Sequence, residues 1–507
     1  MKIYSIYYLL LALFLSSINA FAQQTLKVNL SNAIRPVTHC ASGSLYGITE
    51  ALPADVANLI APLKPFVFTQ PALSGAGHQQ GVAAAAIPIS AKIASTTGKV
   101  MIRLPDILTG WPYNWPGLTS YLNSVTTVIN SKKASGRNNY YGYEIWNEPD
   151  GTWQAANGDF HSVCWKPTFD KIKSLDPTAK IIGPSYSYYN SSSMKAFLTY
   201  CKNNNCLPDI ICWHQWGAAS LSSTIDSYRA LEISLGFSPR AISINEYSSK
   251  LSDPYEGCPG YSVPFIAKFE RKMVESACIS WWFTGLPGRL GSLLTANNQK
   301  GGGWHLYKWY GDMTGNMMGV TPPNDNSDGI DGFANLDQTA IYASVCLGGN
   351  YTGMVNVAIS GIPAFFGTKV VAKLEYVPWA DKDTPVSGTT AISTTTYTIA
   401  NGTITVPVNV TNKFYAYRIY LTPATITGLE ESEIIDDYVS PNPFNNEGLK
   451  ISYKGKFQYQ ITDLKGAVLE EGEGQDEYTA GANLNSGNYL LSVQDRKGKH
   501  VKKILKQ

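Results

Sequence analysis

The 507-residue chain has little charge and no bias of sign. Charged residues make up 15%, and 40 basic side chains face 38 acidic ones for a net charge of +2. A chain so close to neutral offers no overall field for nucleic acid. Low charge beside 44% hydrophobic residues also excludes a mostly disordered protein. Long hydrophobic runs are missing: residues 7–15 (YYLLLALFL) form a run of nine, against the ~18 that span a bilayer. No cysteine pair or His–Cys cluster has zinc spacing. No G-x-G-x-x-G follows the first strand, no Lys-Ser/Thr follows the glycines at 301–303, and no G-x-S-x-G is present. Dinucleotide, phosphate-loop and Ser-His-Asp chemistry therefore lack support, and neither a catalytic metal nor a cofactor is expected.

The start of the chain reads as an address. Met1-Lys2 gives a basic start, the apolar run follows, and Ala20-Phe21-Ala22 offers the small residues a signal peptidase reads. Residues 1–22 are expected to be a signal peptide, with a mature start at Gln23. The eight cysteines are Cys40, Cys164, Cys201, Cys206, Cys212, Cys258, Cys278 and Cys346. Export permits disulfides, and Cys201-x4-Cys206 is the first pair to draw. Cys212 and Cys278, in apolar strand-like runs, read as buried free thiols.

Aromatic and turn residues are abundant, with 12 Trp, 31 Tyr, 17 Phe, 44 Gly and 28 Pro. That mixture suits a β-containing protein that meets sugars. Short apolar, β-branched runs recur at 45–47, 66–69, 99–104, 140–146, 180–183, 209–214, 241–245 and 278–283, eight in all. Between them lie stretches with helical spacing, such as 118–129 (LTSYLNSVTTVI). Parallel strands need crossovers and roughly 30 residues per unit. The pattern predicts an α/β protein with a (β/α)8 TIM barrel. A doubly wound sheet is the alternative, disfavoured by the regular count and the missing glycine fingerprint.

After Pro322-Pro323 alternating stretches separated by turn residues predict a β-sandwich. An acidic linker and a small C-terminal β domain follow. The expected boundaries are 1–22 for the signal peptide, 23–323 for the barrel, 324–424 for the sandwich, 425–437 for the linker and 438–507 for the last domain. Its basic end, residues 497–507, reads as a solvated edge strand. Asp325, Asp328 and Asp331 are acidic enough to suggest calcium but lack the twelve-residue loop pattern.

Barrel enzymes work at the carboxyl ends of their strands. Glu148 directly follows the fourth run and Glu246 the seventh, each preceded by Asn. Two carboxyl groups across a barrel mouth suit glycosidic cleavage, one protonating the leaving oxygen and the other attacking or activating water.

These residues carry a resemblance. Tyr143-Glu144-Ile145-Trp146-Asn147-Glu148-Pro149 resembles the acid/base motif of clan A retaining glycoside hydrolases, and Ile244-Asn245-Glu246-Tyr247 resembles their nucleophile strand. With His214 on the sixth strand and the trailing sandwich, residues 40–423 are most similar to glycoside hydrolase family 39. The resemblance implies Glu148 as acid and then base, and Glu246 as nucleophile. It implies Asn147 at the sugar 2-hydroxyl, His214 in the network near Glu246, and Trp282 as the floor for the ring. Trp146 or Trp153 would wall the acid. Arg103 and Asp106 either reach substrate hydroxyls or pair with each other. Gln215 and Trp216 stand where many members carry Tyr, a place that Tyr247 or Tyr186 would fill. Aromatics at Trp111, Tyr113, Trp115, Trp153 and Trp165 would stack on sugar rings.

Ser440-Pro441-Asn442-Pro443-Phe444, residues 459–469 and Gly487-Asn488-Tyr489 resemble the type IX secretion sorting domain of Bacteroidota. A carbohydrate-binding module is the alternative reading. The implied protein is a secreted or cell-surface retaining glycosidase for a plant or microbial polysaccharide or its oligosaccharides. Its partners would be that substrate and the outer-membrane secretion machinery through 438–507, with no nucleic acid and no stable membrane insertion. A non-catalytic sugar-binding protein and a structural surface protein are the other two classes.

Overall fold

Eight parallel strands close on themselves into a ring. The computed structural model describes residues 24–72, 84–249, 255–280, 287–424, 439–463, 467–494 and 499–507. The signal segment 1–22, the whole linker 425–437, Trp282 and the turns at 464–466 and 495–498 lie outside the described residues. The first strand, β1 (Gln24–Pro36), precedes the barrel. The barrel strands are β2 (Gly43–Leu45), β3 (Val67–Pro71), β4 (Lys99–Arg103), β5 (Tyr140–Glu144), β6 (Ile181–Tyr186), β7 (Ile210–Trp213), β9 (Ala241–Ser248) and β10 (Ser276–Ile279), with the two-residue β8 (Gln215–Trp216) as an outlier on β9. β10 pairs with both β9 and β2, which closes the ring. Each barrel strand overlaps one of the eight runs read from the sequence.

Successive side chains on a strand face opposite ways. Val100 and Ile102 accordingly pack with Val125, Val128 and Ile129 of the helix Leu118–Ala134, while Met101 packs inside the barrel with Val67, Cys212 and Cys278. Both faces are covered, which is why these runs are almost continuously apolar. Among the described residues no helix is long and apolar enough to cross a membrane.

A second sheet has nine strands in the order β16-β15-β18-β13-β12-β11-β1-β14-β17. They are β11 (Asn316–Thr321), β12 (Asp331–Asp337), β13 (Tyr342–Gly348), β14 (Gly353–Ser360), β15 (Lys369–Val377), β16 (Thr390–Thr398), β17 (Ile404–Val410) and β18 (Ala416–Pro423), with β1. Val406 and Val408 near one edge share a core with Val370 and Leu374 near the other, so the sheet curls over itself as a sandwich. The boundaries 23–323 and 324–424 need correction. β1 pairs in parallel with β14 and antiparallel with β11, which places residues 24–36 and 316–321 in the sandwich. Its alternating burial at Leu26, Val28 and Leu30 marks a strand with one face on a core, but a period of two does not say which sheet supplies that core.

The chain divides into two compact units at Pro423 and Ala424. The second unit is a five-stranded sheet, β19 (Val439–Ser440), β20 (Leu449–Thr462), β21 (Val468–Ala480), β22 (Gly487–Gln494) and β23 (Lys499–Lys506), around Phe444, Ile451, Tyr459, Leu491 and Ile504.

All eight cysteines are buried free thiols. That bears out Cys212 and Cys278 and corrects the expected Cys201–Cys206 bridge. These two close the turn after the helix Ser191–Asn203 through a backbone bond, Cys206 N–H to the Cys201 carbonyl at 2.9 Å.

Candidate active site

Glu148 sits four residues past β5, where the chain turns into the short helix Pro149–Thr152. Its φ of 51° is left-handed, as is the φ of 60° at Ser185 on the neighbouring strand. Such conformations cost an L-residue about 1–3 kcal/mol and gather where geometry matters more than stability. The two strained residues hold each other, with Glu148 N–H donating to the Ser185 carbonyl at 2.8 Å. Thr152 fastens the turn by donating to the carbonyls of Asn147 and Glu148 and accepting from Trp146 Nε1 at 2.9 Å.

Glu246 projects from β9 and is buried. His214, at the end of β7, bridges the two glutamates. Its Nδ1 lies 2.8 Å from Glu148 Oε1 and 3.5 Å from Glu246 Oε2. One ligand-type atom from each of the three lies within 4.8 Å of the others. With carboxylate oxygens on both sides, Nδ1 is the protonated nitrogen. Nε2 is buried without a hydrogen-bond partner among the described residues. By distance this trio could also hold a metal ion, although Arg103 already brings positive charge there, with Nη1 3.8 Å from Glu246 Oε2.

Burial and the nearby Glu148 raise the Glu246 carboxyl above its ordinary value, against the pull of His214 and Arg103. Burial works against a charged His214, yet Glu246 and Glu148 outweigh it and the net shift is upward. The group is therefore set to share protons: a strained carboxyl, an imidazole and a buried carboxyl at the mouth of one barrel.

Residues 438–507 match the Secretion system C-terminal sorting domain. That match marks the chain for type IX secretion to the cell surface or the medium. The structure of N2152 from Neocallimastix frontalis is 47% identical, with a TM-score of 0.77, covering 79% of this chain and 100% of that one. This chain belongs to the same family as N2152. A GH39 enzyme from Xanthomonas axonopodis pv. citri, 12% identical with a TM-score of 0.58 over 80% of this chain and 99% of that one, shares the fold. Two curated relatives come from bifidobacteria. One is a 3-O-beta-L-arabinopyranosyl-alpha-L-arabinofuranosidase of Bifidobacterium pseudocatenulatum, 25% identical over 79% of this chain and 48% of its own length. The other is a 3-O-alpha-D-galactosyl-alpha-L-arabinofuranosidase of Bifidobacterium longum subsp. longum, 29% identical over 57% and 26%. The chain thus spans about half the length of one curated relative and about a quarter of the other.

The structure brings Glu148, Glu246, His214 and Arg103 together, with Asn147 buried beside Glu148 and its Oδ1 lacking a partner among the described residues. Arg103 and Asp106 are both buried, at 1% and 0% exposure. Arg103 forks onto Glu144, whereas Asp106 accepts from the Tyr46 and Tyr113 hydroxyls at 2.6 and 3.0 Å. Tyr46 is the link between them, since Arg103 Nη1 donates to its hydroxyl at 3.2 Å. Burial pushes the Asp106 carboxyl up to about 6.

Tyr247 bonds the Tyr307 hydroxyl and Tyr186 donates to the Ser193 carbonyl at 3.5 Å. Among the described residues neither hydroxyl bonds Glu246, and Arg103 Nη1 lies 3.8 Å from its Oε2. Trp153 is half-buried, donating to the Gly158 carbonyl with its ring against Trp115 and Trp146. Tyr113 and Trp165 are buried as well, and of the five rings expected to stack on sugar Trp111 is the exposed one, at 42%. Of the acidic group at 325–331, which lacks the calcium-loop pattern, Asp325 and Asp331 pair with Lys268 and Arg271.

Sequence reasoning missed Glu144 and Asn245 as parts of the site. A signal existed, because Arg103 and Glu144 are opposite charges inside two consecutive apolar runs, 99–104 and 140–146. Opposite charges buried in neighbouring apolar strands must find each other.

Proposed function

We propose that this protein is a secreted retaining glycoside hydrolase that removes α-L-arabinofuranosyl units, including units substituted at O-3, from a plant or microbial polysaccharide or its oligosaccharides. The observation that carries the reading is the His214 bridge between Glu148 and Glu246 at the ends of the fourth and seventh barrel strands. One oxygen from each carboxylate lies within 4.8 Å of the other, an approach that supports the close carboxyl pair of retaining enzymes, ~5–5.5 Å apart. The sugar rests on the curated relatives, both named for α-L-arabinofuranosides with a 3-O-linked sugar.

In this mechanism the Glu246 carboxylate attacks the anomeric carbon. Glu148 delivers its proton to the departing glycosidic oxygen from the carboxyl oxygen that His214 does not hold. The C–O bond breaks and a glycosyl ester of Glu246 remains. Glu148, now a carboxylate, takes a proton from water, whose oxygen attacks the same carbon and frees Glu246. Asn147, beside Glu148, is placed to bond the sugar 2-hydroxyl. His214 keeps the carboxyls at one separation, and Arg103 favours an ionised Glu246.

The test is product analysis by chromatography on arabinans, arabinogalactans, arabinoxylans and other glycans, with Glu246→Gln in parallel. Release of an arabinofuranose-containing product that vanishes in the variant is expected. Proton NMR of the first-formed anomer should show retained configuration, and an inverted anomer would sink the double displacement. No product from any glycan, together with tight binding to one, would make this a sugar-binding protein instead.

A further inference from the structure

We propose that Glu144 is a positioning residue for the nucleophile: it clamps the Arg103 guanidinium and the Asn245 amide, and thereby sets how strongly Arg103 engages Glu246. This rests on the glycosidase reading above and deepens it.

Glu144 is fully buried. Its Oε2 accepts from Arg103 Nε at 2.7 Å, and its Oε1 accepts from Arg103 Nη2 at 3.2 Å and Asn245 Nδ2 at 2.6 Å. Cys212 completes the Asn245 amide by donating to Oδ1 at 2.7 Å. One carboxylate thus joins β4, β5 and β9, the strand of Arg103, the strand leading to Glu148 and the strand bearing Glu246. Asn245 is the residue immediately before Glu246, so fixing its side chain fixes the backbone from which the nucleophile projects.

The fork has a second effect. A guanidinium free to turn makes a short bidentate pair with a carboxylate, which would occupy the lone pair that must attack. With Nε and Nη2 committed to Glu144, Nη1 faces Glu246 at 3.8 Å while donating to Tyr46. Glu144 also offsets the arginine charge, so Glu246 feels a partly neutralised cation.

Titratable groups face Glu144 from several sides. Arg103 ends the third barrel strand and Asp106 follows it, Cys212 lies on the sixth, Glu246 on the seventh and Cys278 on the eighth. Tyr113 and Tyr121 lie further out, and Tyr46 meets it through Arg103. Burial drives the thiols and phenols upward, away from neutral pH. Asp106 and Glu246 are the acids raised toward it.

The experiment compares the full chain, Glu144→Gln, Glu144→Asp and Glu246→Gln on one arabinofuranoside, with melting temperatures recorded. Glu144→Gln removes the charge and frees Arg103 to pull on Glu246. The acid limb of its kcat/KM profile is expected to move down by about half a pH unit or more, with the same shift when the comparison is repeated in an Asp106→Asn background. Glu144→Asp keeps the charge but shortens the clamp. Its kcat should fall about tenfold or more at nearly constant KM, since misplacement of reacting groups is costly, while its acid limb stays in place. A folded Glu144→Asp with kcat within about twofold of the parent overturns the proposal, even if Glu144→Gln fails to fold. So does an unmoved acid limb in a folded Glu144→Gln. If Glu246→Gln is as active as the parent, the glycosidase reading itself fails and this inference falls with it.

Discussion

His214 Nδ1 and Glu148 Oε1 stand 2.8 Å apart at the ends of barrel strands six and four. The same nitrogen lies 3.5 Å from Glu246. One imidazole proton is thereby placed between the two groups that must act in turn, and replacing it tests the arrangement. His214→Ala should lower kcat by about a hundredfold or more, the order seen when a positioned proton-transfer partner is lost. Steady-state kinetics with Glu148 and Glu246 intact checks this, and a kcat within a few-fold of the parent counts against the bridge.

Stability should carry a pH signature of the same site. Glu246 is raised by burial and by Glu148, so the folded state holds that proton more tightly than the unfolded chain. Stability then falls as pH rises from the unfolded carboxyl range through the raised value, and levels off above it. His214 is also raised; the stability it contributes is full below the unfolded imidazole range and lost as pH rises through the folded value. Both slopes have one sign. Glu246→Gln removes the first and weakens the second, so its melting temperature should exceed the parent's at pH 7 by about 2–4 °C for each kcal/mol recovered. The gain should vanish toward pH 4. Calorimetry across that range reads it, and two parallel curves would contradict the assignment.

Arg103→Met should be costly to fold and to catalysis together. It leaves Glu144 as a buried charge without its guanidinium, a loss of about 3–5 kcal/mol in comparable pairs. Pairing it with Glu144→Gln removes both charges and should return part of the stability without restoring activity. Denaturant unfolding and kcat/KM on the two variants separate these effects.

Trp111 is the exposed end of an aromatic chain, its ring 5.4 Å from Tyr113, which is 5.2 Å from Trp146, two residues before Glu148. That places it on the side of the acid, where the leaving group departs. Trp111→Ala should raise KM on a polymeric substrate about tenfold, since a stacked ring contributes about 0.5–1.5 kcal/mol. Activity on a small aryl arabinofuranoside should stay unchanged. Equal losses on both substrates would exclude a role in holding the leaving chain.

Calcium removal should leave the protein unaltered. Asp331 lies 2.7 Å from Lys268 Nζ and 2.8 Å from Arg271 Nη2, and Asp325 pairs with the same arginine. EDTA should therefore not move the melting temperature, whereas Asp331→Asn should lower it by leaving the fully buried Lys268 without that partner. A drop with EDTA that calcium reverses would restore the cation reading.

The sequence by itself determined the repeating architecture and the two glutamates. Strands buried on both faces must be apolar throughout, and each parallel strand needs a helix to return, so the eight units stood out as runs spaced by crossovers. A charged residue that ends such a run lies at the barrel mouth, which made Glu148 and Glu246 legible. The tertiary structure decided what period and spacing do not encode, namely which strands are neighbours and in what register. β1 carries an ordinary alternating pattern, yet its partners lie some three hundred residues away in the sandwich. Arg103 and Asp106 read equally as substrate contacts or as a local pair, but the register that sets Arg103 beside Glu144 turned the arginine inward and left Asp106 to two tyrosines. His214 gained its two carboxylates only when strands four, six and seven closed into one ring, because closure brings their ends within a few ångströms and chain distance does not.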